Sequence, residues 1–177
     1  MSDTFREELG ALLPRLRRFA LGLTGDADRA DDLVQAGCER ALARQHQWQP
    51  GTRLDSWMYK IMQNLWIDQM RAKTEVVPAE PEEIERVPDR DWNRGIEAQL
   101  TLAQVMEAMQ KLPPQMRSVL ALVCIEDQSY REAAETLGVP IGTVMSRLAR
   151  ARLELHRVLR GGAADAAGQE GEHAPLH

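Results

Sequence analysis

Apolar residues recur at helical spacing through most of the chain, and no stretch alternates as a strand would. In residues 5–23 the series Leu9, Leu12, Leu13, Leu16, Phe19, Ala20 and Leu23 predicts a helix, with Pro14 marking its start or a kink. Thr24-Gly25-Asp26 ends it. A second helix is predicted over residues 28–45. Its inner face is Ala30, Leu33, Val34, Gly37, Cys38, Ala41 and Leu42, and Asp31, Asp32, Gln35, Glu39 and Arg40 lie outward. Gln49-Pro50-Gly51-Thr52 reads as a turn, and Thr52 is placed to cap a third helix over residues 54–72. There Trp57, Met58, Ile61, Met62, Leu65, Trp66 and Met70 make one broad apolar face, and Tyr59, Lys60, Gln63, Asn64, Ile67, Asp68 and Arg71 do not all fit inside it. Further on, a helix near Leu100 turns Leu102, Val105, Met106 and Met109 inward until Pro113-Pro114 breaks it, and residues 116–126 form another that buries Val119, Leu120, Leu122 and Val123. The fold class is therefore all-α.

Residues 129–152 carry the sharpest local signal. Ser129 caps a helix and Glu132 completes a capping box. Tyr130, Ala133, Ala134 and Leu137 face inward, Gly138 supplies a left-handed terminus, and Pro140 opens a new helix. That helix buries Val144, Leu148 and Ala151. Its other face shows Thr143, Met145, Ser146, Arg147 and Arg150, with Arg152 on the flank. Two helices, a tight turn and an arginine-bearing face fit the helix-turn-helix that enters a DNA major groove. An ordinary helical hairpin with solvated arginines is the competing reading.

Charge distribution favours nucleic acid, although the whole chain is net −5. Residues 1–73 are net +1 and residues 99–160 net +2. The acid lies in residues 74–98, with eight acidic groups, three basic groups and three prolines, and in the tail 161–177, net −3. Screening over roughly 8–10 Å makes a local basic stripe matter more than the total. Five arginines against one acid between Arg147 and Arg160 are such a stripe. The organisation expected is a first helical domain at 1–73, an acidic flexible linker at 74–98, a second domain at 99–160 and a disordered tail at 161–177.

Other chemistry is sparse. Cys38 and Cys124 sit on apolar helical faces and read as buried reduced thiols. No secretory apolar region or membrane-length run occurs, so the cytoplasm is the expected compartment. No Gly-rich phosphate loop, metal-ligand spacing or nucleophilic triad is present, His46 reads as a surface residue, and neither a cofactor nor a metal is implied. An enzyme is not expected.

Taken in order, residues 9–160 resemble the extracytoplasmic-function group of the sigma-70 family. RRFALGLTGDADRADDLVQ (17–35) is similar to the start of that family's sigma-2 domain. LDSWMYKIMQNLWIDQMR (54–71) resembles its promoter-melting helix, with the family's pattern at Asn64, Asp68 and Arg71. KLPPQMRSVLAL (111–122) and SYREAAETLGVPIGTVMSRLARAR (129–152) resemble its sigma-4 domain. The resemblance implies an initiation factor with three partners: core RNA polymerase, promoter DNA and an anti-sigma factor. It implies a polymerase contact at Asp31, Asp32, Leu33, Gln35 and Arg40. A flipped minus-ten base would be held beside Asn64, with Tyr59, Lys60, Asp68 and Arg71 near. The minus-thirty-five element would be read by Thr143, Ser146, Arg147 and Arg150, with Arg152 toward phosphate. Met145, Gly37 and Cys38 depart from what many relatives carry. The alternative function is a sigma-like decoy that sequesters an anti-sigma factor without touching promoters.

Overall fold

The computed structural model describes residues 2–73 and 101–169, with side chains over 3–73 and 101–161. The acidic segment 74–98 and the last eight residues of the tail lie outside the described residues. Among those described, no strand occurs. The first unit is α1 (Ser2–Thr24), α2 (Ala27–Ala43), a 3-10 turn (Gln45–Gln47) and α3 (Leu54–Lys73). The second is α4 (Leu102–Gln110), α5 (Pro114–Leu120) running into a π turn (Ala121–Ile125), α6 (Tyr130–Leu137) and α7 (Ile141–Gln169).

In the first unit Leu16, Phe19, Ala20 and Leu23 of α1 are fully buried with Leu33 of α2 and Met58, Met62 and Trp66 of α3. Each such large side chain contributes about 1.5–3 kcal/mol by leaving water. Gly37 lets α2 lie close on α3, since a Cβ there would stand 2.8 Å from Met62 Cγ. The helix α1 continues through Pro14 rather than starting there. Proline leaves the Gly10 carbonyl without an intrahelical donor, and both residues are exposed, so water can serve it. Leu13 and Leu42, expected inward, are 42% and 40% exposed.

Thr52 does not cap α3. Its hydroxyl donates back to the Gln49 carbonyl at 2.7 Å, and Asp55 instead organises the helix start. The Asp55 carboxylate accepts the Ser56 N–H at 2.8 Å and bonds from Arg53 (2.8 and 3.1 Å) and Arg15 (3.2 Å). Burial alone would raise the Asp55 carboxyl, but Arg53, Ser56 and Arg15 together hold it below the usual carboxylate range. A depressed native value gives stability that is present above the unfolded value of about 3.9 and lost as pH falls through the native value. Asp55→Asn is therefore expected to destabilise the chain at pH 7, with the gap from wild type narrowing as urea melts are repeated toward pH 3. A gap that stays constant with pH would contradict the assignment.

In the second unit Thr101 and Gln104 form a capping box for α4, and Ser129 and Glu132 form one for α6. Gly138 ends α6 at φ +68°. Val144, Leu148 and Ala151 of α7 are buried at 0–1% exposure, as their spacing requires. Leu102 is 78% exposed, because its place in the first turn of α4 turns it from the core. The π turn changes the angular step per residue, so the helical period drawn across residues 116–126 loses register there. Cys124 accordingly lies at the surface, and Cys38 is half-buried with its thiol pushed up by burial. Neither is the fully buried thiol the apolar pattern indicated. Helix α7 continues to Gln169, nine residues past the expected boundary at Arg160. Residues 161–169 are rich in alanine, and lengthening an existing helix needs no new nucleus.

The two units are packed on each other. Helices α1 and α3 lie against α5, the π turn and α6, and the buried residues form one continuous cluster.

Candidate nucleic-acid interface

The inward stripe Val144, Leu148, Ala151 and Leu155 fixes the rotation of α7 about its axis. Thr143, Ser146, Arg147, Arg150 and Arg152 are left half-buried around the remaining circumference, with Met145 52% exposed among them. Ser146 is held locally, its hydroxyl donating to the Thr143 carbonyl at 3.1 Å. Arg147, Arg150 and Arg152 each already take part in a polar or ionic interaction in this conformation. Their guanidiniums suit forked recognition of a guanine edge or a phosphate.

On α3, Lys60, Asn64, Asp68 and Arg71 are all exposed. Their spacing puts them on one stripe about 16 Å long at about 1.5 Å rise per residue. The opposite side of α3 carries Met58, Met62 and Trp66 into the core. This stripe offers a cation, an amide, a carboxylate and a guanidinium in a row, the polar set a displaced base and its backbone would meet. Tyr59 does not belong to it. Its ring is fully buried 4.8 Å from Phe19, and burial together with Glu126 holds its phenol well above the usual tyrosine value. Gln63 is also buried, its amide donating to Ser118 Oγ at 2.6 Å. Trp57 is half-buried against Phe5, with ring centroids 6.2 Å apart, rather than enclosed in the core.

On α2 the structure leaves Asp31, Asp32 and Gln35 exposed together. The Asp31 carboxylate pairs with Arg17 at 2.7 Å, and the Gln35 amide donates to Glu39 at 3.1 Å. Leu33 is 0% exposed and lies on the opposite stripe with Ala30, Gly37 and Ala41. It supports the surface from beneath and cannot touch a partner, which removes it from the expected contact set. Arg40 is half-buried. Sequence reasoning left Tyr59 and Gln63 among the polar residues of α3, because the groups that satisfy their polar ends, Glu126 and Ser118, come from the second unit. The one local hint was Gly22, a glycine inside α1 that nothing in the helix itself requires.

Two family profiles match. "Sigma-70, region 4" covers residues 102–155, and "Sigma2 domain of PhyR" covers residues 9–63. The chain is 38% identical over 160 residues to ECF RNA polymerase sigma factor EcfG of Rhodopseudomonas palustris, spanning 90% of this chain and 87% of that protein. It is 37% identical to ECF RNA polymerase sigma factor SigE of Mycolicibacterium smegmatis, over 82% of this chain and 57% of the relative. Among solved structures, the sigma factor RpoE in complex with the anti-sigma factor NepR from Bartonella quintana superposes with a TM-score of 0.68. The two are 31% identical, covering 89% of this chain and 97% of that one.

Proposed function

The chain belongs to the extracytoplasmic-function sigma factors of the sigma-70 family, which bind core RNA polymerase and direct promoter-specific initiation, and we propose how its two units divide that work. The first unit, residues 1–73, docks on the polymerase through Asp31, Asp32 and Gln35 and engages the minus-ten element along Lys60, Asn64, Asp68 and Arg71. The second, residues 99–160, reads the minus-thirty-five element through Thr143, Ser146, Arg147 and Arg150, with Arg152 toward phosphate. Contacts to base edges give the specificity and contacts to phosphate the register. The protein works by binding and catalyses nothing itself, in the cytoplasm where its polymerase is. No described helix is long and apolar enough to cross a membrane. An anti-sigma partner fits the same reading, since the Bartonella sigma factor is in complex with one.

The observation that carries this division is the exposed stripe on α3, which keeps four polar side chains in line on the side of the helix that packing does not use. Reconstituted transcription with the purified chain, core polymerase and a library of promoter fragments tests it. Specific transcripts that need the chain are expected, and Asn64→Ala should lower them by about 5- to 160-fold, the worth of one base contact of about 1–3 kcal/mol. Polymerase binding by that variant should stay unchanged. Binding to polymerase or an anti-sigma factor with no transcripts from any promoter would favour the decoy instead.

A further inference from the structure

The first turns of α7 carry an apolar patch that the core does not use. Ile141 and Met145 are 48% and 52% exposed. They stand four residues apart, one turn along the helix and about 40° round it from each other. Gly142 lies between them in sequence and is exposed as well. It belongs to the helix, its φ is not positive, and a Cβ there would meet nothing within 4 Å. Glycine inside a helix is less stable than alanine, and neither a turn nor a packing contact of this protein calls for one here. What remains is the other use of glycine, room for a second molecule to come close to the backbone.

The position of the patch narrows what that molecule is. In a helix-turn-helix the first residues of the second helix reach the base edges. Helical side chains slant toward the N-terminus, so Met145 leans over the turn that holds Ile141 and Gly142. Met145 and Ser146 follow Gly142 by three and four residues, so the missing side chain leaves a hollow in front of both. The hollow is apolar and uncharged on the Met145 side. Base pairs present one apolar group in the major groove, the C5-methyl of thymine. A protein occupant fits less well, because a standard interface takes about 800 Å² from each partner. Two half-exposed side chains and a glycine fall far short of that. Charge points the same way, since five arginines against one acid between Arg147 and Arg160 draw a polyanion to this helix.

We propose that Ile141, Gly142 and Met145 form a thymine-reading patch. Met145 packs on the C5-methyl, Ile141 extends the apolar surface toward the helix start, and Gly142 lets the base edge come in close. The patch rests on the minus-thirty-five reading given above and adds a specificity determinant to it. It supplies what the arginines cannot, a preference for thymine over cytosine, which offers an amino donor and no methyl at that edge.

The test uses holoenzyme reconstituted from the full chain and core polymerase. It first selects minus-thirty-five sequences from a randomised promoter library. Each thymine of the selected element, on either strand, is then replaced by uracil, which pairs identically and lacks only the methyl. Wild type should lose about fourfold in affinity at one of these thymines, the worth of one buried methyl. Met145→Ala should bind thymine DNA about fourfold more weakly and be indifferent to uracil at that position, as expected for two groups in contact. Met145→Leu should restore the sensitivity to uracil. The salt dependence of binding should be the same for Met145→Ala as for wild type, because no phosphate contact is lost. Gly142→Ala should melt at the same temperature as wild type or higher, yet bind about fourfold more weakly because its methyl group fills the hollow.

A selected element without thymine, uracil tolerated at every position, or an equal uracil penalty in Met145→Ala and wild type overturns the patch. So does Gly142→Ala binding as wild type. Met145→Ala that weakens assembly with core polymerase and leaves DNA binding intact would make the patch a protein contact and overturn it equally. Selection that depends on Arg147 and Arg150 but ignores the methyl counts against the patch alone. Failure to select any minus-thirty-five sequence, or selection unchanged when both arginines are alanine, counts against the reading of α7 itself and removes the patch with it.

Discussion

Replacing Arg147 and Arg150 together by alanine is expected to lower promoter-specific transcription by roughly 30-fold or more, because each guanidinium contact proposed with DNA would be worth about 1–3 kcal/mol. The reason lies in how α7 is held. Val144 and Leu148 are buried at 0% and 1% exposure, which fixes the azimuth of every other residue on the helix. Arg147 and Arg150 are three apart and share a side, one turn beyond Thr143 and Ser146. Both are half-buried, and truncating them takes no apolar group from the core. Thermal stability should therefore stay close to wild type, within about 0.5–1 kcal/mol. Polymerase binding through α2 should be unaffected, and Arg6→Ala, an exposed change on α1, should leave transcription unchanged. Salt dependence separates the two kinds of contact. Loss of a phosphate contact reduces the slope of log affinity against log salt by about one per arginine, while loss of a base contact relaxes the preferred sequence. Transcription by the double variant within twofold of wild type would remove α7 from the reading surface.

What could be read from sequence follows from the range of the interactions involved. The α6–α7 corner is local: Ser129 bonds Glu132 three residues on, and Gly138 takes φ +68° for want of a Cβ. Those instructions sit within ten residues, and the structure follows them. The stripe on α3 was legible for the same reason, since Lys60, Asn64, Asp68 and Arg71 share a face by helical geometry alone. Tyr59 and Gln63 were not. Their burial depends on Glu126 and Ser118, 67 and 55 residues away, and no periodicity within α3 contains that information. Leu33 was assigned to a partner surface through its neighbours in the chain, although its register with Ala30 and Gly37 placed it inside. The exposure of Cys124 has another origin, a π turn that shifts the phase of an apolar run whose composition reads as ordinary helix. Local chemistry thus reveals elements and faces, and the docking of the units decides which polar residues are spent inside.

The largest effect on folding is expected from Trp66→Ala, which should lower the unfolding free energy by about 3–5 kcal/mol. Trp66 is the largest fully enclosed side chain of the protein's described residues, and it carries the load of α3 on the side opposite Asn64 and Asp68. Removing it leaves a void at the place where the Arg117 guanidinium, buried at 8% exposure, now lies against the ring. Trp66→Phe should be milder, about 1–2 kcal/mol, for two reasons. It keeps most of the apolar area, and it deletes an indole N–H that has no hydrogen-bond partner in the protein, so one desolvated donor disappears with it. Urea unfolding followed by far-ultraviolet circular dichroism measures both. An alanine variant within about 1 kcal/mol of wild type would show that the site collapses freely and that Trp66 is not a keystone of the core. Single domains are stable by about 5–15 kcal/mol, so the alanine change removes a third or more of what holds a marginal chain together. Its effect on transcription should then follow the folded population, strong when warm and weak when cool, whereas Asn64→Ala, two residues away on the outer face, should reduce transcription at every temperature. That contrast separates the two sides of α3: one side keeps the helix in place, and the other is the side proposed to meet the DNA.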